Sequence, residues 1–65
     1  MRVYIDNREY LVDSDTVFLN EAILRYTKRD DGVAAFLNRR IVPRSEWEKT
    51  MITDGDEINV IFARS

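Results

Sequence analysis

One stretch of this 65-residue chain repeats its apolar residues with the period of a helix. Leu19, Ala22, Ile23 and Tyr26 recur at i, i+3, i+4 and i+7, while Asn20, Glu21, Arg25 and Lys28 lie away from that stripe. Elsewhere the apolar residues alternate with period two or form short runs. A chain with one helix of any length and several strands buries itself economically in one way. The helix lies on one face of a mixed sheet, a two-layer α+β design. A domain of this size buries only about 60% of its unfolded surface. With no cysteine there is no disulfide to help. Residues 1–65 are therefore expected to form a single domain around one small core.

The strands can be placed around that helix. Arg2 to Asp6 and Glu9 to Asp13 alternate on either side of Asn7-Arg8, which reads as a tight hairpin. Asparagine tolerates the positive φ of such a turn; arginine in second position is unusual. This turn sets Asp6 opposite Glu9, Ile5 opposite Tyr10, Tyr4 opposite Leu11, Val3 opposite Val12 and Arg2 opposite Asp13. Opposed residues share a face, so Val3, Ile5, Tyr10 and Val12 face the core. Arg2, Tyr4, Asp6, Glu9, Leu11 and Asp13 face outward. Asp15, Thr16 or Asn20 can cap the helix, with Val17 and Phe18 packing ahead of its first turn. Lys28-Arg29 close it at the negative end of its dipole, and Gly32 suits a left-handed exit. Val33 to Asn38 is a short apolar strand with Val33, Ala35 and Leu37 on one face and Ala34 and Phe36 on the other. Arg39-Arg40 turn the chain into Ile41-Val42, which Pro43 ends. Ser45 to Lys49 forms one helical or 3-10 turn with Trp47 buried, and Met51-Ile52 lead back to the core. Asp54-Gly55-Asp56 is a turn. It launches a last strand with Ile58, Val60 and Phe62 inward and Asn59, Ile61 and Ala63 outward.

Composition excludes several functions. Histidine and cysteine are both absent, which removes the commonest general base, the commonest metal ligand and any thiolate nucleophile. Ser14 and Ser45 have no base to activate them, and Asp54 and Asp56 alone fall far short of a calcium site. No catalytic residue, metal ligand or cofactor is expected, and an enzyme is the weakest reading. The net charge is −2, with ten basic and twelve acidic side chains intermixed and no basic stripe for nucleic acid. No apolar run approaches the roughly 18 residues of a membrane span, and no signal-peptide pattern opens the chain. A soluble cytoplasmic domain is the expectation, with neither nucleic acid nor membrane as partner.

The order β-β-α-β-β-(short turn)-β resembles that of ubiquitin-like β-grasp proteins. In that fold the last strand returns to the sheet centre beside the first. The run Val33-Ala34-Ala35-Phe36-Leu37-Asn38-Arg39-Arg40-Ile41-Val42-Pro43-Arg44-Ser45-Glu46-Trp47 resembles the middle of ThiS, the sulfur-carrier family of thiamine biosynthesis. There an apolar strand ending in Asn, a polar turn, Val-Pro-Arg and a Trp recur in this order. Asp54-Gly55-Asp56-Glu57-Ile58 matches the turn opening that family's last strand. The resemblance implies a carrier whose C-terminal carboxylate is adenylated with ATP by an E1-like, ThiF-like enzyme and converted to a thiocarboxylate. A ThiG-like thiazole synthase then takes the sulfur. Such carriers end in Gly-Gly, because a tail without side chains threads a narrow active site. Here Arg64-Ser65 occupy the tail and the diglycine would come directly after Ser65, so this form is expected to be truncated or inactive. The small subunit of molybdopterin synthase is a related reading. A β-grasp interaction module without covalent chemistry is the alternative from another class.

The outward apolar residues offer a docking face. With the last strand beside the first, Leu11, Tyr4, Ile61 and Phe36 are expected across the outer face, one from each of four strands. An apolar band on a small domain's solvent face suits a protein partner, and the resemblance implies docking through the sheet face and tail. Arg39-Arg40, Pro43-Arg44 and Trp47 read as structural.

Overall fold

The computed structural model describes residues 1–14, 17–28 and 32–62. Its centre is the helix stripe. Helix α1 (Leu19–Thr27) buries Leu19, Ala22 and Ile23. It meets a five-stranded sheet of β1 (Arg2–Ile5), β2 (Arg8–Leu11), β4 (Val33–Leu37), β5 (Arg40–Val42) and β7 (Glu57–Phe62). The spatial order is β2-β1-β7-β4-β5. The last strand lies at the centre, parallel to β1 and antiparallel to β4. Two further strands, β3 (Val17–Phe18) and β6 (Met51–Ile52), pair separately. The core is Val3, Ile5, Val17, Leu19, Ala22, Ile23, Ala35, Trp47, Ile52, Ile58 and Val60, with no polar or charged residue buried among the described residues. Its continuity across both layers is the expected source of stability, since each fully buried aliphatic side chain contributes about 1.5–3 kcal/mol.

The first hairpin differs from expectation by two residues of register. Arg2 faces Leu11, Val3 faces Tyr10, Tyr4 faces Glu9 and Ile5 faces Arg8. The turn is Asp6-Asn7, with φ of 51° and 68°. A two-residue turn of this hand needs positive φ at both positions, and Asp and Asn bear it better than Arg8 would. A slip of two residues preserves the faces, so Val3 and Ile5 remain inward and Tyr4 and Leu11 outward. The second hairpin obeys the same rule. Its turn is Asn38-Arg39, φ 51° and 69°, and Arg40 begins β5 rather than turning the chain.

The helix ends also differ in detail. Val17 and Phe18 do not merely pack ahead of the helix; they pair with Ile52 and Met51. That pairing takes over part of the capping. The Leu19 N–H donates to the Thr50 carbonyl at 2.8 Å, and the Phe18 N–H to Glu21 Oε1 at 3.3 Å. Asn20 lies inside the helix, and Asp15 and Thr16 lie outside the described residues. At the other end Lys28 itself takes the left-handed conformation (φ 61°) and donates its N–H to the Leu24 carbonyl. Gly32 is left-handed as well, at φ 65°; Arg29 lies outside the described residues.

Trp47 is the expected plug. It sits on a 3-10 helix (Arg44–Lys49), is 2% exposed, and donates Nε1–H to the Val42 carbonyl at 2.8 Å. Ile52 is buried, whereas Met51 is exposed. The Asp54-Gly55-Asp56 turn is tied down by its carboxylates. Arg2 N–H donates to Asp54 Oδ1 at 2.7 Å, and Thr53 N–H to Asp56 Oδ2 at 2.8 Å. Phe62 is a correction: the buried core stops at Val60, and Phe62 is half exposed beyond it.

Arg39 in a left-handed turn identifies a removable strain. Its side chain is 88% exposed and its 3.6 Å contact with Glu57 is a surface ion pair of little weight. Arg39→Gly creates the favoured Asn-Gly turn and is expected to raise stability by roughly 1 kcal/mol, read as a higher urea midpoint with an unchanged slope.

Candidate functional site

The outer sheet face carries no long helix, and the ladders place its side chains. Tyr4 is flanked by Glu9 on β2 and Glu57 on β7. Arg2 faces Leu11, and its Nε lies 3.1 Å from Glu9 Oε2. This half of the face is polar. Further along β7, Asn59 faces Phe36 and Phe36 faces Ile41, while Ile61 faces Ala34. Ile41 and Ile61 are 64% and 55% exposed. Ala34, Phe36, Ile41 and Ile61 therefore form an apolar patch beside the C-terminal end of β7.

The four expected docking residues share the outer face but not one band. Phe36 and Ile61 are diagonal neighbours across β4 and β7. Tyr4 sits in the polar half. Leu11, at 76% exposure, stands beside Arg2 at the opposite corner, roughly 20 Å from Ile61 by strand rise and spacing. The two-residue register difference is the reason. Opposite Tyr4, Leu11 would have lain nearer the centre; opposite Arg2 it does not. Ile41 joins the patch and was missed because Arg39-Arg40 read as a turn, leaving Ile41-Val42 without a register. Arg64 and Ser65, the expected tail residues, lie outside the described residues.

A second feature was not foreseen. Asp6 sits in the β1–β2 turn, and its carboxylate is shared between elements. Oδ2 accepts the Tyr26 hydroxyl at 2.9 Å, and Oδ1 accepts the Val60 N–H at 3.0 Å. The residue gave no sequence signal beyond its place near a turn, because both partners are distant in the chain. Tyr26 also meets Tyr10 edge-on, with ring centroids 6.0 Å apart. The hydrogen bond to Asp6 holds the Tyr26 phenol above its ordinary value of 10.0, with desolvation and the nearby carboxylate charge adding to it.

A cavity of about 160 Å³ opens between α1 and the first hairpin, lined mainly by Val3, Ile5, Val12, Val17 and the two tyrosines. Apart from Tyr10, Tyr26 and Arg25 its described lining is apolar, and it holds no carboxylate. Among the described residues no helix is long and apolar enough to cross a membrane.

A mixed five-stranded sheet grasping one helix, with β7 at its centre parallel to β1, defines a ubiquitin-like β-grasp protein. The crystal structure of a thiamine biosynthesis protein (ThiS) from Geobacter metallireducens superposes with a TM-score of 0.85, covering 100% of this chain and 97% of that one at 19% identity. A solution structure of a thiamine biosynthesis protein from the same organism gives 0.77, covering 100% and 86%. At that identity the likeness speaks for the fold. The sequence goes further: the profile of the ThiS family matches residues 3–65, and the chain belongs to that family. The sulfur carrier protein ThiS of Escherichia coli K12 is 35% identical over 40 residues, a stretch covering 62% of this chain and 61% of that protein.

The Tyr26–Asp6 bond has a pH signature. A phenol raised above its unfolded value stabilises the fold fully below about pH 10. That contribution is lost as pH rises through the folded value. Tyr26→Phe removes this dependence, so its urea midpoint is expected to fall less steeply than that of the parent as pH rises above about 10.

Proposed function

We propose that this chain is a sulfur carrier for thiazole formation in thiamine biosynthesis, working in the cytoplasm as a protein substrate and not as an enzyme. The observation that carries the reading is a family match over residues 3–65 on a fold whose central strand is β7, with an apolar patch beside its C-terminal end. The chemistry takes place on the tail beyond β7. In a chain ending in Gly-Gly, the terminal carboxylate attacks the α-phosphorus of ATP on a ThiF-like enzyme, and pyrophosphate leaves. Sulfur at the hydrosulfide level then attacks the acyl carbon, the bond to AMP breaks, and AMP leaves a thiocarboxylate behind. A ThiG-like thiazole synthase accepts that sulfur. The carrier contributes a rigid base, a docking face and a threading tail, which agrees with a chain lacking His and Cys.

The patch beside the exit is the part of the face best placed to meet an enzyme that also holds the tail. Phe36, Ile41 and Ile61 supply apolar contact, and the flanking Arg39 and Glu57 supply a polar rim of the kind interfaces use. Leu11 and Tyr4, proposed with them from the sequence, stand toward the far half.

The chain extended by Gly-Gly, incubated with a ThiF-like enzyme, ATP and a sulfur source, is expected to gain the mass of an oxygen-to-sulfur exchange. An unchanged mass, with no adenylate trapped, would refute the carrier reading. Within that assay Ile61→Asp is expected to lower charging efficiency by roughly 10- to 30-fold, the loss of about 2 kcal/mol typical of an interface anchor. Leu11→Asp should stay within about twofold of the parent, since exposed rim positions contribute little. Both variants should keep the parent's unfolding midpoint closely, because both side chains are solvent-exposed.

A further inference from the structure

The parallel ladder between β1 and β7 ends before β7 does. Tyr4 N–H donates to the Asp56 carbonyl and Asp6 N–H to the Ile58 carbonyl, each at 2.9 Å. Residues 56 and 58 thus turn their backbone polar groups toward β1. In an extended strand this orientation repeats every second residue, so Val60 points its N–H the same way. By then the neighbouring chain has turned off: Asp6 and Asn7 are left-handed, and β2 begins at Arg8. The position where a continuing strand would supply a carbonyl is filled by the Asp6 side chain, whose Oδ1 accepts Val60 N–H at 3.0 Å. Its other oxygen is held by the Tyr26 hydroxyl on α1 at 2.9 Å. One carboxylate therefore joins a hairpin turn, the central strand and the helix, two residues before the last described residue of β7.

We infer that Asp6 is a positioning residue for the tail: it clamps β7 on the side that β1 has abandoned, and so sets the direction in which the chain leaves the domain. On the β4 side, pairing continues through Ala34–Ile61 and Val33–Phe62. On the β1 side the bond from Val60 N–H to Asp6 holds the strand beyond Ile58, and a charged acceptor makes it stronger than an ordinary rung. Asp suits this post on two counts. It bears the left-handed backbone, and as a carboxylate it accepts two hydrogen bonds with none to donate. Tyr26 matches it because its hydroxyl donates. With the clamp released, the end of β7 is held along one edge, and the tail spreads over more directions. An enzyme that must thread the tail then meets a smaller productive fraction. That loss falls on KM, because ordering the free carrier belongs to binding. The functional half of this inference rests on the carrier reading; the mechanical half does not.

The variants separate the clamp from the turn. Asp6→Gly removes both acceptors while allowing φ of 51°. Asp6→Asn keeps the turn and an acceptor for Val60. Amide exchange on the 65-residue chain, with Ile23 as the core reference, is expected to show Val60 exchanging about tenfold faster in Asp6→Gly, with Ile23 changing less and Asp6→Asn close to the parent. In the diglycine-extended chain, Asp6→Gly should raise the KM for adenylation roughly fivefold and leave kcat within about twofold; Asp6→Asn should restore KM. Parent-like protection of Val60 in Asp6→Gly overturns the clamp. Faster exchange with an unchanged KM overturns the positioning role, as does an equal fall of kcat with no change in KM. If Asp6→Gly does not fold, the parent decides: a Val60 amide that exchanges as fast as an unprotected one, while Ile23 is protected, overturns the clamp. A parent chain that is never charged refutes the carrier reading and the tail role with it, while amide exchange still decides whether Asp6 holds the strand.

Discussion

The structure depends on the insertion of the last strand between β1 and β4. Ile58 is fully buried there and Val60 nearly so, and both ladders that join the halves of the sheet run through β7. Without it, the first hairpin and the β4–β5 hairpin would be separate two-stranded units, which are marginal alone in water. The first and last strands therefore meet at the sheet centre, and the fold is completed by the last of its elements in chain order. The same placement holds β7 between neighbours on both sides, in the most constrained part of the sheet.

Register then divides the outer face. One turn of a given hand at Asp6-Asn7 and another at Asn38-Arg39 fix which side chains stand opposite each other. Arg2, Glu9, Tyr4 and Glu57 gather at the end of the sheet where β7 begins. Ala34, Phe36, Ile41 and Ile61 gather where it ends. The apolar patch thus lies beside the C-terminal end of β7. Asp6 belongs to the same logic: the turn that ends β1 also supplies the acceptor that β7 would otherwise lack.

Much of the fold was legible in the residues. The stripe Leu19, Ala22, Ile23 and Tyr26 located the helix, alternation sorted Val3 and Ile5 from Tyr4 and Leu11, and the isolated Trp47 announced its burial. Faces survived a wrong turn assignment because a shift of two residues keeps the period of a strand. The apolar residues of the outer face were legible in kind and less so in arrangement. Leu11 was assigned to the outer face correctly, yet its neighbour depended on the turn, and a two-residue difference moved it to another corner. Ile41 was hidden because a three-residue edge strand carries too little alternation to declare a register. Phe62 continued an inward pattern past the point where the core ends.

The sequence by itself determined the elements, their buried faces and the family, because these rest on local periodicity and on short runs of residues such as those from Val33 to Trp47. Only the tertiary structure decided which side chains share a corner of the sheet and which carboxylate meets which amide. Those depend on pairs far apart in the chain, Asp6 with Tyr26 and Val60 above all. No periodicity links such partners; they are brought within hydrogen-bond distance by the central strand and the hand of one turn.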